Sequence, residues 1–175
     1  MESSKICIPY LKQSSNPHIL TLSPPLNMLP KWFSNHLAYS MSKYAMSMTV
    51  LGLAKELQPL GIAVNALWPR TAIYTAATKM IGGGEKFAEL CRRPEIMADA
   101  AYAILTLSAK EVKHTGNFYV DDEVLREHGV TDFEQYAVKP VPEELEMEGK
   151  LEGQKLRETA LSRGQNVRLP VTEEV

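Results

Sequence analysis

Tyr39 and Lys43 stand four residues apart in the run Tyr39-Ser40-Met41-Ser42-Lys43-Tyr44-Ala45-Met46. On a helix, positions i and i+4 share a face, so a phenol and an ammonium at that spacing can reach one ligand. A phenol, with an ordinary pKa of about 10, is a poor acid or base at neutral pH; a neighbouring cation favours the phenolate and eases proton exchange with an alcohol or a carbonyl. The pair therefore suits carbonyl–alcohol redox chemistry. With seven tyrosines in the chain such a spacing arises readily by chance, so its surroundings must decide.

Met46, Val50, Leu53 and Leu57 continue from Tyr39 and Lys43 at the helical period, which predicts one long helix burying the stripe that also carries the pair. Gly61 ends that helix, and Ile62-Ala63-Val64-Asn65-Ala66-Leu67-Trp68 reads as a buried strand stopped by Pro69. Upstream, His18-Ile19-Leu20-Thr21-Leu22 is a second apolar run, closed by Ser23-Pro24-Pro25. Strand, helix, strand is a βαβ unit, with the two strands parallel and the helix across one face.

Four segments now line up in order: Tyr39-Ser40-Met41-Ser42-Lys43, Leu53-Ala54-Lys55-Glu56-Leu57, Gly61 to Pro69, and Thr115-Gly116-Asn117-Phe118. In order and spacing the chain resembles the classical short-chain dehydrogenase/reductases from about Ser4 to Pro140. The resemblance implies an α/β, Rossmann-like doubly wound parallel sheet, with the amino-terminal half of that sheet missing from these residues. It implies Tyr39 as catalytic acid/base and Lys43 as the residue that holds the nicotinamide ribose and activates the phenol. It implies NADP or NAD as cofactor, and Pro69, Ile73 and Thr75 as further cofactor contacts in the loop after the second strand, where Arg70 replaces the family's glycine. Ser23, at the end of the first strand, is the candidate for the serine that polarises the substrate oxygen. The family's usual position falls on Pro24, and a turn-capping role for Ser23 stands beside the catalytic one. The family's glycine-rich pyrophosphate turn has no counterpart in the sequence, and its helix-borne asparagine would precede Met1. Gly82-Gly83-Gly84 has no strand before it and no Lys-Ser/Thr after it, so it reads as the tip of a substrate loop.

With 175 residues and 45% hydrophobic content the chain can form one globular core, and a formal net charge of -2 argues against nucleic acid as main partner. Cys7 and Cys91 lack metal or redox spacing and read as reduced, buried thiols; His18, His36, His114 and His128 lack paired ligand spacing and read as surface or loop residues, so no metal site is expected. No stretch is apolar enough to span a bilayer, and the start lacks the order of a signal peptide. The expected setting is intracellular: cytoplasmic or, by the family resemblance, peroxisomal or mitochondrial.

Beyond the second strand, 75–90 reads as a helical lid interrupted by glycines. Pro94 then opens a helix with Ile96, Ala100, Ala103, Ile104 and Leu107 on one side. Residues 116–120 read as the last strand, and Asp121-Asp122-Glu123 as its solvated end rather than a calcium loop. Residues 1–140 thus form the domain and 141–175 a charged tail, partly disordered. Two function classes stand side by side. One is an oxidoreductase acting on a ketone or secondary alcohol, with Trp32, Phe33, Trp68 and Tyr74 as apolar walls suited to a lipid-like substrate. The other is a non-catalytic module that joins a homo-oligomer or a full-length subunit through the Met41, Ala45, Met48 and Gly52 face of the same helix.

Overall fold

The computed structural model describes residues 2–34, 36–81, 88–89 and 91–139. In chain order its elements are α1 (Glu2–Leu11), β1 (His18–Leu22), α2 (Leu37–Leu57), β2 (Ala63–Trp68), α3 (Ala76–Ile81), α4 (Glu95–Thr106), β3 (Phe118–Val120) and α5 (Asp121–Glu127). The three strands form one sheet in the order β1-β2-β3. β1 runs parallel to β2, with His18 opposite Ala63 and Leu22 opposite Leu67. The expected α/β βαβ architecture is what forms, with α2 as the crossover. The residues divide into two compact units, 2–68 with 105–119 and 69–104 with 120–139.

In the first unit β2 lies between its neighbours, and Ala63 to Leu67 are all buried, as an apolar central strand requires. Val50, Ala54 and Leu57 of α2 pack with Ile62, Val64 and Ala66, and Ile8, Leu11, Ile19 and Phe118 close over them. Asn65 interrupts the apolar strand without loss, because its amide donates to the His114 carbonyl at 2.8 Å and its oxygen accepts from the Asn117 N–H at 3.0 Å. Asn16 does similar work before β1, donating to the carbonyls of Leu105 and Leu107. α2 passes into a short 3-10 turn and ends at Gly61, whose φ of 67° is the left-handed conformation that favours glycine.

The buried stripe of α2 differs from the expected one. Its buried residues are Ser40, Tyr44, Ser47, Val50, Ala54 and Leu57, whereas Tyr39 is 57% exposed and Met46 is also exposed. The reason lies in what the helix packs on. Its carboxy-terminal half meets the apolar sheet, but its amino-terminal half meets the backbone of the 24–33 loop, whose carbonyls need donors, so hydroxyls occupy the buried positions there.

In the second unit the buried face of α4 is Ile96, Ala100, Ala103 and Ile104, as the spacing predicts; Leu107 falls just past the helix. Asp121 and Asp122 are not a solvated strand end. Both are buried in the first turn of α5, where charge at a helix amino terminus is favourable and arginine partners are at hand. Of the thiols, Cys91 is buried and Cys7 exposed, because Cys7 lies on the outer side of α1. His18 opens β1 rather than a loop, with Nε2 3.0 Å from the Leu107 carbonyl. Gly82-Gly83-Gly84 and the 141–175 tail lie outside the described residues. No helix among the described residues is long and apolar enough to cross a membrane, and none of their His, Cys, Asp and Glu side chains form a group of three that could hold a metal.

Candidate active site

Tyr39 sits in the first turn of α2 with its side chain largely exposed, so the phenol can meet a ligand from solvent. Its own carbonyl accepts from the Ser42 hydroxyl at 2.8 Å. Lys43, one turn on, reaches back to the sheet: Nζ donates to the Leu22 carbonyl at 3.1 Å and lies 5.8 Å from the Trp68 ring centroid. The ammonium is therefore held by the last residue of β1 and faces an aromatic ring at the end of β2. A lysine has three N–H donors, so this contact leaves donors for a ligand.

Ser23 follows Leu22 directly and is wholly buried. Its hydroxyl has no hydrogen-bond partner among the described residues, and its N–H bonds back to the Thr21 carbonyl. Lys43, on the helix that carries Tyr39, and Ser23, just past β1, are thus brought to one strand end. The Pro24 carbonyl, next in line, is taken by Ser47 at 2.7 Å.

The other cofactor candidates lie in the second unit. Pro69 follows β2, Ile73 forms an isolated parallel bridge with Arg92, and Thr75 stands just before α3. The Thr75 N–H donates to the Thr78 hydroxyl at 2.7 Å and the Thr78 N–H returns to the Thr75 hydroxyl at 3.3 Å, the reciprocal pattern of a capped helix start. Thr75 is thereby engaged in ending the loop.

Arg70 belongs to a network that sequence reasoning missed. Its N–H donates to Asp121 Oδ1 at 2.9 Å, its Nε to Asp122 Oδ1 at 2.6 Å, and its Nη2 to Glu123. Arg126 holds the other Asp122 oxygen at 2.8 Å. Burial pulls the Arg70 guanidinium down, but the bonds and charges of Asp122 and Glu123 outweigh it and leave its pKa raised. Burial also pushes the Asp121 carboxyl up, against the two backbone N–H bonds it accepts. The available signal was an arginine at a glycine position together with an acidic triplet after the last strand, a pair of charges that each explain the other.

A parallel βαβ unit with a Tyr-x-x-x-Lys helix tied to the carboxy-terminal end of its first strand defines the class, and the chain belongs to the short-chain dehydrogenase/reductase family. Within it, the chain is 56% identical over 138 residues to hydroxysteroid dehydrogenase-like protein 2 of Danio rerio, and 53% identical to that of Homo sapiens. These matches cover 79% of this chain and 32% of each relative, so the chain spans about a third of the length of the curated relatives it matches. Among solved structures it is similar to a candidate dehydrogenase from Xanthomonas campestris, with 51% identity and a TM-score of 0.71 over 78% of this chain and 49% of that one. A short chain dehydrogenase from Mycobacterium thermoresistibile is 47% identical, with a TM-score of 0.69 over 80% and 49%. A candidate gluconate 5-dehydrogenase from Beutenbergia cavernae, solved with NADP, is 24% identical at a TM-score of 0.50 and shares the fold. No family model matches the chain.

Proposed function

We propose that these residues carry the proton-transfer half of an NAD(P)-dependent oxidoreductase that interconverts a ketone and a secondary alcohol. The observation that carries this reading is the bond from Lys43 Nζ to the Leu22 carbonyl, which fixes a cation on the Tyr39 helix at the strand end occupied by Ser23. The nicotinamide cofactor supplies the hydride when bound. Lys43, with donors left over, suits the hydroxyls of its ribose. Pro69, Ile73 and Thr75, in the second unit, are proposed as cofactor contacts on the family resemblance alone. In reduction the Tyr39 O–H gives its proton to the substrate oxygen as negative charge develops there, and in oxidation it takes that proton back. Ser23 is the proposed donor to the same oxygen; its buried hydroxyl has no hydrogen-bond partner among the described residues. Tyr39 is exposed, as are Met28, Leu29 and Leu37 of the same unit, a composition suited to an apolar, lipid-like substrate.

The 175 residues on their own are proposed to be inactive, because they offer the ribose end of a dinucleotide site and no glycine-rich cradle for its pyrophosphate. The test is a chimera in which this chain replaces the 138 matching residues of the Danio rerio relative, assayed by NADPH oxidation against ketones of increasing chain length. Turnover with the parent relative and none with the chimera would sink the reading.

A second reading has its own support. Met41 is 59% exposed and Met48 56%, with Ala45 and Gly52 exposed beside them on the same helix. That face suits a homo-oligomer or a full-length subunit, and the chain could act there without catalysing anything.

A further inference from the structure

The buried face of α2 carries a ladder of hydroxyls. Ser40 Oγ donates to the Trp32 carbonyl, the Tyr44 phenol to the Asn27 carbonyl and Ser47 Oγ to the Pro24 carbonyl, each at 2.7 Å. Spaced at i, i+4 and i+7, the three form one stripe, and the chain they grip runs antiparallel to the helix from the end of β1 up to its amino terminus. Packing supports the middle rung, since the Tyr44 ring lies 4.9 Å from that of Phe33. Burial pushes the Tyr44 phenol up, so it stays protonated and remains a donor at neutral pH.

The top rung matters most. The first turn of α2 holds Tyr39, yet its N-cap residue, His36, makes no side-chain capping bond. A helix start without such a cap is prone to fray. Ser40 ties that turn to Trp32 in the loop and, through its own N–H, to the His36 carbonyl at 2.9 Å.

We propose that Ser40, Tyr44 and Ser47 are positioning residues for Tyr39: their hydroxyls fasten the 24–33 loop along α2 and so hold the uncapped turn that presents the phenol. The tie is made from the helix's own buried face and leaves the N–H groups of its first turn unengaged by a side-chain cap. The consequence for catalysis rests on the oxidoreductase reading; the mechanical part does not.

Hydrogen exchange on the 175-residue chain tests the mechanical part. Losing one such bond in Ser40→Ala should speed exchange of the 41–44 amides roughly fivefold to tenfold, and Ser40→Thr, which keeps the hydroxyl, should restore protection. Tyr44→Phe keeps the ring and should loosen the Trp32 and Phe33 amides, leaving Val64 and Ala66 as protected as before. Unchanged exchange at 41–44 in Ser40→Ala, or at Trp32 and Phe33 in Tyr44→Phe, overturns the ladder. In the chimera with the Danio rerio relative, Ser40→Ala should lower kcat about tenfold with KM little changed, and Ser40→Thr should recover it. A loosened turn with wild-type kcat overturns the positioning role while leaving the oxidoreductase reading intact. Full turnover in Tyr39→Phe overturns that reading while leaving the exchange result intact.

Discussion

Lys43 Nζ and the Leu22 carbonyl oxygen are 3.1 Å apart, so the Lys43 ammonium is anchored to the strand and not only to its own helix. A lysine left free would spread its charge over many rotamers; anchored, it holds the charge where the strand ends. Lys43→Met removes that charge but keeps most of the stem. In the active chimera the dissociation constant for NADPH should rise at least tenfold, measured by fluorescence titration, with a fall in kcat alongside. Wild-type cofactor affinity in this variant would remove Lys43 from the cofactor site.

Tyr39 should be indispensable to chemistry and dispensable to folding, because its side chain is more than half exposed. Tyr39→Phe loses only the ionisable hydroxyl. Turnover of the chimera should drop by roughly a hundredfold or more while the thermal midpoint moves little. A steady-state assay run beside a melting curve reads both quantities on one preparation.

Arg70→Gly would restore the residue usual in the family at this point and strip Asp122 and Glu123 of a partner. Asp122 keeps Arg126 at 2.8 Å, so the loss should be smaller than for a fully orphaned buried charge, on the order of 2 kcal/mol in urea unfolding. A variant as stable as the wild type would show that the Arg70 bonds only balance their own desolvation.

Asp121 makes stability depend on pH in an unusual direction. Burial raises its folded pKa above the ordinary aspartate value, so within that window the folded chain keeps a proton that the unfolded chain has released. The stability it contributes should be full below the ordinary value, decline as pH rises to the raised one, and stay level above it. Asp121→Asn should flatten that segment of the difference curve. Urea midpoints of both proteins across the acid range give the comparison, and parallel curves would mean that Asp121 titrates alike in both states.

Ala45→Glu probes the outward face of α2. Ala45 is exposed between Met41 and Met48, so a carboxylate there meets water in a monomer and an apolar neighbour in an assembly. Light scattering should show a lower mass than wild type with an unchanged circular dichroism spectrum. Equal monomers for both proteins would leave the interaction reading without support.

Much of this site can be read from the chain alone, because its signals are local. An alternation of short apolar runs with one long helical run sets a βαβ unit; Gly61 and Pro69 punctuate it; and a four-residue spacing places Tyr39 and Lys43 one turn apart. The buried residues of α4 follow from period alone for the same reason. What only the tertiary structure decided is which side of α2 turns inward at its amino-terminal end. Hydropathy favours Met46 over Ser47, but the neighbour there is a loop with carbonyls to satisfy, and Ser40, Tyr44 and Ser47 answer it. The burial of Asp121 and Asp122 was equally hidden, since their partner Arg70 lies some fifty positions earlier and a charge run by itself looks solvated. Sequence patterns report what a segment wants from an average environment; a polar group buried against a distant segment is stable only because of the partner that folding brings to it.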